Sequence, residues 1–141
     1  MNKERFEDFQ SLDFLDLAKK LIEYNKKHRW ENSSLERTIF GRIYYGTFLH
    51  VKEWLSENTD FNVENNGKDH SNIPKYIKTK GPFDKDTNKD ISDYIKQLKQ
   101  LRNQADYHLK VPDKNSKEYA RWDTRDVNSA IDFAEYIIKQ F

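Results

Sequence analysis

The stretch SLERTIFGRIYYGTFLHVKEWLSE, Ser34 to Glu57, decides the fold. Leu35, Ile39, Phe40, Ile43, Tyr44, Thr47, Phe48, Val51, Trp54 and Leu55 recur at helical spacing, yet they cover more than the single stripe that a surface helix needs. A helix apolar over two stripes is packed on two sides, which places this segment at the centre of a bundle. Ser33, followed three residues on by Glu36, forms a capping box that opens it. Gly41 and Gly46 each cost about 1 kcal/mol against alanine in a helix interior. Their presence predicts that a neighbouring backbone comes close at both positions.

Upstream, Ser11 to Arg29 repeats apolar residues at Leu15, Ala18, Leu21 and Ile22, with Phe14, Leu17 and Tyr24 widening the stripe. Downstream, Asn58 to Asp69 is polar, rich in Asn and contains Gly67, and reads as a loop. A short helix follows, with Ser71 or Asn72 as its cap, Pro74 in an early turn, and Gly81 with Pro82 as its stop. Thr87 with Asp90 reads as the cap of the next helix, whose stripe is Ile91, Tyr94, Ile95, Leu98, Leu101, Ala105 and Leu109. Pro112 interrupts the pattern between Lys110 and Trp122. Asp123 or Thr124 then begins a last helix with Val127, Ala130, Ile131, Ala134, Ile137, Ile138 and Phe141 on one face. No segment alternates with period two and no internal repeat is visible. The expected fold is all-α, an antiparallel bundle of four main helices with one short extra helix.

Length and composition agree with one core. The 141 residues suit a single helical domain over 1–141. The hydrophobic fraction is only 35%, equal to the charged fraction, so the 14% of aromatic residues must carry much of the burial. A core rich in rings is expected. The formal net charge of +1 means that any contact with nucleic acid comes from a local patch. There is no cysteine, which excludes disulfides and thiolate metal sites. No signal-peptide pattern or run of about 20 apolar residues is present, so a cytoplasmic protein without a membrane span is expected.

Arg102 to His108, reading Arg Asn Gln Ala Asp Tyr His, concentrates the chemistry. A fixed cation, an amide and an imidazole are the groups needed to cut RNA without a metal. The imidazole can exchange a proton with the ribose 2′-OH or the leaving 5′-oxygen, and the guanidinium can stabilise the extra negative charge on phosphorus. Lys96 and Lys99, about two turns and one turn before Asn103, extend a track for an anionic backbone. At about 100° per residue, Arg102 and His108 flank the buried stripe from opposite edges, separated by about 9 Å of rise. On one straight helix they do not converge. A shared site therefore needs either a bend near the end of the helix or two copies meeting about a two-fold axis. The competing reading is structural: Asp106 is the i+4 neighbour of Arg102 and can pair with it, His108 can complement the helix dipole, and Tyr107 can simply pack.

The segment Arg37 Thr Ile Phe Gly Arg42 Ile Tyr44 Tyr45 Gly Thr Phe48 Leu His50 resembles the second-helix signature of HEPN domains, a basic residue before a Tyr Tyr pair and then an aromatic residue. Leu101 to His108 resembles the later helix of that family, in which Arg, four to six residues and His form the hallmark. His70, Ile73 and Gly81 are similar to the short element between them. The resemblance covers roughly Leu12 to Phe141 and implies an all-α, commonly dimeric domain. Many such domains are metal-independent RNA endonucleases of toxin–antitoxin or antiviral systems, with Arg and His from both subunits in one cleft. It implies catalytic roles for Arg102, Asn103 and His108. Lys96, Lys99, Asp106 and Tyr107 are the expected binding residues beside them, and no cofactor is expected. A homodimer, an RNA substrate and an antitoxin or nucleotidyltransferase partner are the implied associations. Lys110 stands where some relatives carry a Tyr that is a modification target, so that role is not carried over. Two other readings stand beside this one. One is a noncatalytic HEPN module that binds a nucleotide, RNA or a partner protein. The other is a helical interaction protein that presents rings such as Trp30 and Trp122.

Overall fold

Two-sided burial of the central segment organises the molecule. The computed structural model describes residues 10–28, 33–107 and 124–141, and every regular element among them is a helix. These are α1 (Leu12–His28), α2 (Ser33–Asn58), α3 (Asp69–Lys80), α4 (Lys85–Tyr107) and α5 (Thr124–Gln140). α2 packs against α1, α4 and α5, and α4 packs against α2, α3 and α5. The two stripes of α2 are thus both used: Leu35, Ile39, Phe40, Ile43, Tyr44, Thr47, Phe48, Val51 and Leu55 are buried. None of the described helices is long and apolar enough to cross a membrane.

Contacts between the helices give their directions. The start of α1 at Phe14 and Leu15 lies against Gly46, midway along α2, while the last residue of α1 and the first of α2 are five positions apart in sequence. These two helices are antiparallel. Trp54, near the end of α2, meets Phe83 just before α4, whereas Tyr45 meets Arg102 near the end of α4, so this pair is antiparallel as well. Phe141, which follows α5, packs on both Trp54 and Phe83, and Tyr94 of α4 stacks on Phe133 of α5. α5 therefore runs with α2 and against α4. α3 runs along α4 in the opposite sense, its Pro74 carbonyl accepting the buried Ser92 hydroxyl at 2.8 Å.

The centre of the core is more aliphatic than composition suggests. Ile39, Ile43, Val51, Leu55, Ile73, Ile77, Ile91, Ile95, Ala130, Ala134 and Ile137 fill it, and Phe40, Tyr44 and Phe48 are the buried rings among the described residues. Other rings, including Tyr45, Trp54, Phe83, Tyr94, Phe133 and Phe141, pack around the edge of this cluster. Close helices leave little width at the centre, and a tyrosine or tryptophan at the edge keeps its polar tip near water. The stripe of α1 is also narrower than its sequence implies. Leu15, Ala18 and Ile22 are buried, but Leu17 and Tyr24 are exposed.

Three local details differ from expectation. α4 opens one turn earlier than Thr87: Asp84 is the cap, its Oδ1 accepting the Thr87 backbone N–H at 2.8 Å and its Oδ2 the Thr87 hydroxyl at 2.7 Å. α3 begins at Asp69, so Pro74 falls in its second turn and removes the hydrogen bond that the His70 carbonyl would otherwise accept. Gly81 ends α3 with an ordinary negative φ of −60°; what excludes a side chain is space, because a Cβ would meet the Ile77 carbonyl and the Asn88 amide. That Asn88 amide bridges the connection, donating to the Phe83 carbonyl at 3.0 Å and accepting the Phe83 N–H at 3.1 Å. The side chains of the Ser33 and Glu36 capping box lie outside the described residues, as do Trp30, Leu109, Pro112 and Trp122.

The two glycines of α2 separate cleanly. A Cβ at Gly46 would stand 3.1 Å from the Leu15 nitrogen, the Ser11 carbonyl oxygen and the Phe14 Cβ, whereas one at Gly41 meets nothing within 4 Å among the described residues. Only Gly46 marks a close backbone, which corrects the expectation for Gly41. Gly46→Ala is expected to destabilise the protein by about 1–3 kcal/mol, since helix backbones rather than flexible tips must move. Gly41→Ala is expected to stabilise it by up to about 1 kcal/mol through helix propensity. Urea unfolding followed by circular dichroism checks both. Midpoints that move in the same direction would contradict this packing of α1 on α2.

Candidate functional site

Successive helical positions aim the rings of α2 at two different neighbours. Tyr44 and Phe48, one turn apart, share the face that meets the start of α3. Here the His70 ring stacks on Phe48 with centroids 4.3 Å apart and on Tyr44 at 5.6 Å. The Tyr44 hydroxyl lies 2.6 Å from His70 Nδ1. Tyr45, rotated by about 100°, meets α4, where the Arg102 guanidinium carbon sits 4.9 Å from its ring centroid and 6.0 Å from that of Tyr44. Arg102 Nη1 also donates to Asn103 Oδ1 at 3.5 Å. One pair of tyrosines therefore ties the imidazole of α3 to the guanidinium of α4.

His70 is held in place from below by an ion pair. The side chain of Asp69 is buried, and it accepts the backbone N–H groups of Glu64 at 3.0 Å and Asn65 at 2.8 Å. Lys52 Nζ of α2 lies 3.2 Å from its Oδ2. These bonds fold the loop back onto α3, and Asn65 takes a positive φ of 57° to complete the turn. Tyr76 adds a second tie by donating to Asp60 at 2.6 Å. The start of α3 is thus fixed against α2 by a carboxylate, a lysine and a stacked imidazole.

Between α3 and α4 lies a cleft of about 350 Å³, lined on one side by His70, Ser71 and Pro74 and on the other by Lys96, Lys99, Gln100, Asn103 and Gln104. Among the described residues the lining holds two ammonium groups and no carboxylate, so these groups make the cleft electropositive although the chain is nearly neutral. Burial lowers the pKa of His70 from its ordinary 6.5, and the charges of Lys99, Arg102 and Lys52 lower it further against the opposing pull of Asp69. Its imidazole is neutral at pH 7. Tyr44 is raised above its ordinary value, mainly by burial, despite the pull of Arg102, and keeps its proton. Asp69 is raised by burial but lowered overall, by the Glu64 N–H, Lys52 and the Asn65 N–H.

The structure brings together Lys96, Lys99 and Asn103 in the cleft and seats Arg102 beside them against the tyrosines. His108 lies outside the described residues, and so do the side chains of Asp106 and Tyr107 and with them the expected Arg102 to Asp106 pair. His70 is the site residue that sequence reasoning passed over, seen there only as the start of a short element. Its partners stand 26 residues before it and about 30 after it, a separation at which no local spacing carries a signal. Among the described residues no three His, Cys, Asp or Glu side chains gather to hold a metal ion. No protein-family model matches the chain, and neither a curated protein nor a solved structure does.

The depressed His70 makes stability depend on pH. Between its folded value and 6.5 the unfolded chain binds the proton that the folded chain refuses, so unfolding free energy falls as pH falls through that window. His50, also lowered chiefly by its burial, acts in the same direction. His70→Asn is therefore expected to lose less stability than the parent protein when pH drops from about 7.5 to about 5.5. Urea unfolding at the two pH values measures it. An equal loss in both proteins would remove His70 from this account.

Proposed function

We propose that the protein is a metal-independent RNA endonuclease of HEPN type that acts as a homodimer. The observation that supports this reading best is the meeting of two separate motifs. Tyr44 and Tyr45, from the segment that resembles the second HEPN helix, pack against Arg102, from the segment that resembles the later one. Arg102 in turn holds Asn103 at the wall of a basic cleft. A guanidinium stacked on a ring has lost much of its freedom, so it meets a phosphate with less ordering entropy than a free surface arginine.

In the proposed reaction the ribose 2′-oxygen attacks the adjacent phosphorus. The bond from phosphorus to the 5′-oxygen breaks, the 2′-OH proton leaves to a base and the 5′-oxygen takes up a proton. The products are a 2′,3′-cyclic phosphate and a 5′-hydroxyl. His108 is assigned the proton transfers, Arg102 the charge that develops on the non-bridging oxygens, and Asn103 the orientation of the phosphate. Lys96 and Lys99 hold the strand. A second copy of the chain supplies the partner Arg or His where one straight helix cannot present both to the same linkage. Antitoxin or antiphage settings follow from the resemblance and belong to the same proposal.

Purified protein is expected to cut single-stranded RNA in excess EDTA. Arg102→Ala and His108→Ala are each expected to reduce the rate by at least about a hundredfold. Both variants should remain folded, with Arg102→Ala lowering the thermal midpoint by a few degrees as its contact with Tyr44 and Tyr45 is lost. Gel assays with end-labelled RNA, together with end-group analysis, read the outcome. RNA that is bound but never cut would favour the noncatalytic module, and RNA neither bound nor cut would end both readings.

A further inference from the structure

His70 has a place in the structure that the proposed cutting reaction does not use. Its Nδ1 is taken by Tyr44, and one ring face is covered by Phe48, yet the residue still lines the cleft opposite Lys96, Lys99 and Asn103. With Nδ1 engaged, the remaining polar edge of the imidazole is the one that carries Nε2. A phenol is the better hydrogen-bond donor of the two partners and an imidazole nitrogen the better acceptor, so Tyr44 donates to Nδ1. In a neutral ring the proton then resides on Nε2. The result is a directed donor held rigid by a stacked ring, a short hydrogen bond and a buried ion pair one residue away.

We propose that the cleft between α3 and α4 is a subsite for one phosphate of an RNA strand, in which His70 Nε2–H donates to a phosphate oxygen that Lys96 and Lys99 also face. The lining supports an anion: two ammonium groups, a hydroxyl and three amides line it with no acid among them. The volume of about 350 Å³ admits a nucleotide rather than a bare ion, and Gln100, Asn103 and Gln104 offer amides to its sugar or base. The natural ligand rests on the nuclease reading, whereas binding at this cleft does not, because it needs neither His108 nor a second copy.

The test uses the full chain with adenosine 5′-monophosphate, which offers a phosphate but no linkage to cut, and adenosine as the control. Calorimetry is expected to show the monophosphate binding at least about tenfold more tightly than adenosine. His70→Asn keeps an acceptor for Tyr44 but removes Nε2, and is expected to weaken monophosphate binding about tenfold. Lys99→Gln is expected to weaken it similarly. Equal binding of adenosine, or unchanged affinity in both variants, overturns the subsite. Should His70→Asn not fold, the Lys96→Gln, Lys99→Gln double variant decides: retained affinity overturns the proposal and lost affinity supports it. Cutting of RNA is scored separately in the same proteins. Intact cutting with no monophosphate binding removes the subsite alone, and monophosphate binding without cutting removes the nuclease alone.

Discussion

The constraint on which the molecule depends is the circumference of α2. A 26-residue helix with apolar residues on two stripes cannot be covered by one neighbour, so it must be enclosed by several. α1 closes one side, with Gly46 letting the backbones approach, and α4 and α5 close the other. Isoleucine, leucine, valine and alanine fill most of the narrow space at the centre beside Phe40, Tyr44 and Phe48, while the other described rings remain at its margins. Every other placement follows from this enclosure, including the position of the short α3 along α4.

Tyr44 turns that enclosure into a site. Its ring is buried, yet its edges reach three groups that carry chemistry: His70 through a hydrogen bond and a stack, Tyr45 edge to face, and Arg102 through the attraction of a guanidinium to an aromatic face. A phenol that burial keeps protonated next to an imidazole that burial keeps neutral forms a pair with no net charge to desolvate. The permanent charges lie around this pair, in Arg102, Lys99 and the Lys52 to Asp69 bridge. This division lets a basic cleft open beside a neutral, rigid floor. Rigidity of that kind is what a binding or cutting site needs if its donors are to meet a phosphate without first being ordered.

Much of the fold was legible because it rests on local periodicity. The long apolar runs of α2, α4 and α5 repeat every three or four residues, and the four main helices with one short extra appear where these patterns lie. What failed was detail, some of it local and some of it governed by distant atoms. Asp84 took the cap from Thr87 because its carboxylate reaches both the N–H and the hydroxyl of Thr87. Gly41 and Gly46 look alike in the chain, but α1 passes only the second. Leu17 and Tyr24 extended the stripe of α1 on paper, but both side chains are exposed.

The sequence by itself determined the helical class, the central role of α2 and the cluster of Lys96, Lys99, Arg102 and Asn103 on one helix, because each is encoded within a few turns of chain. Only the tertiary structure decided that His70 faces those residues across a cleft, that Asp69 is buried against Lys52, and that the tyrosine pair bears on Arg102. The physical reason is one of range. Periodicity and capping act through neighbours in sequence, whereas a hydrogen bond between residues 26 positions apart exists only after the apolar faces of three helices have chosen their partners.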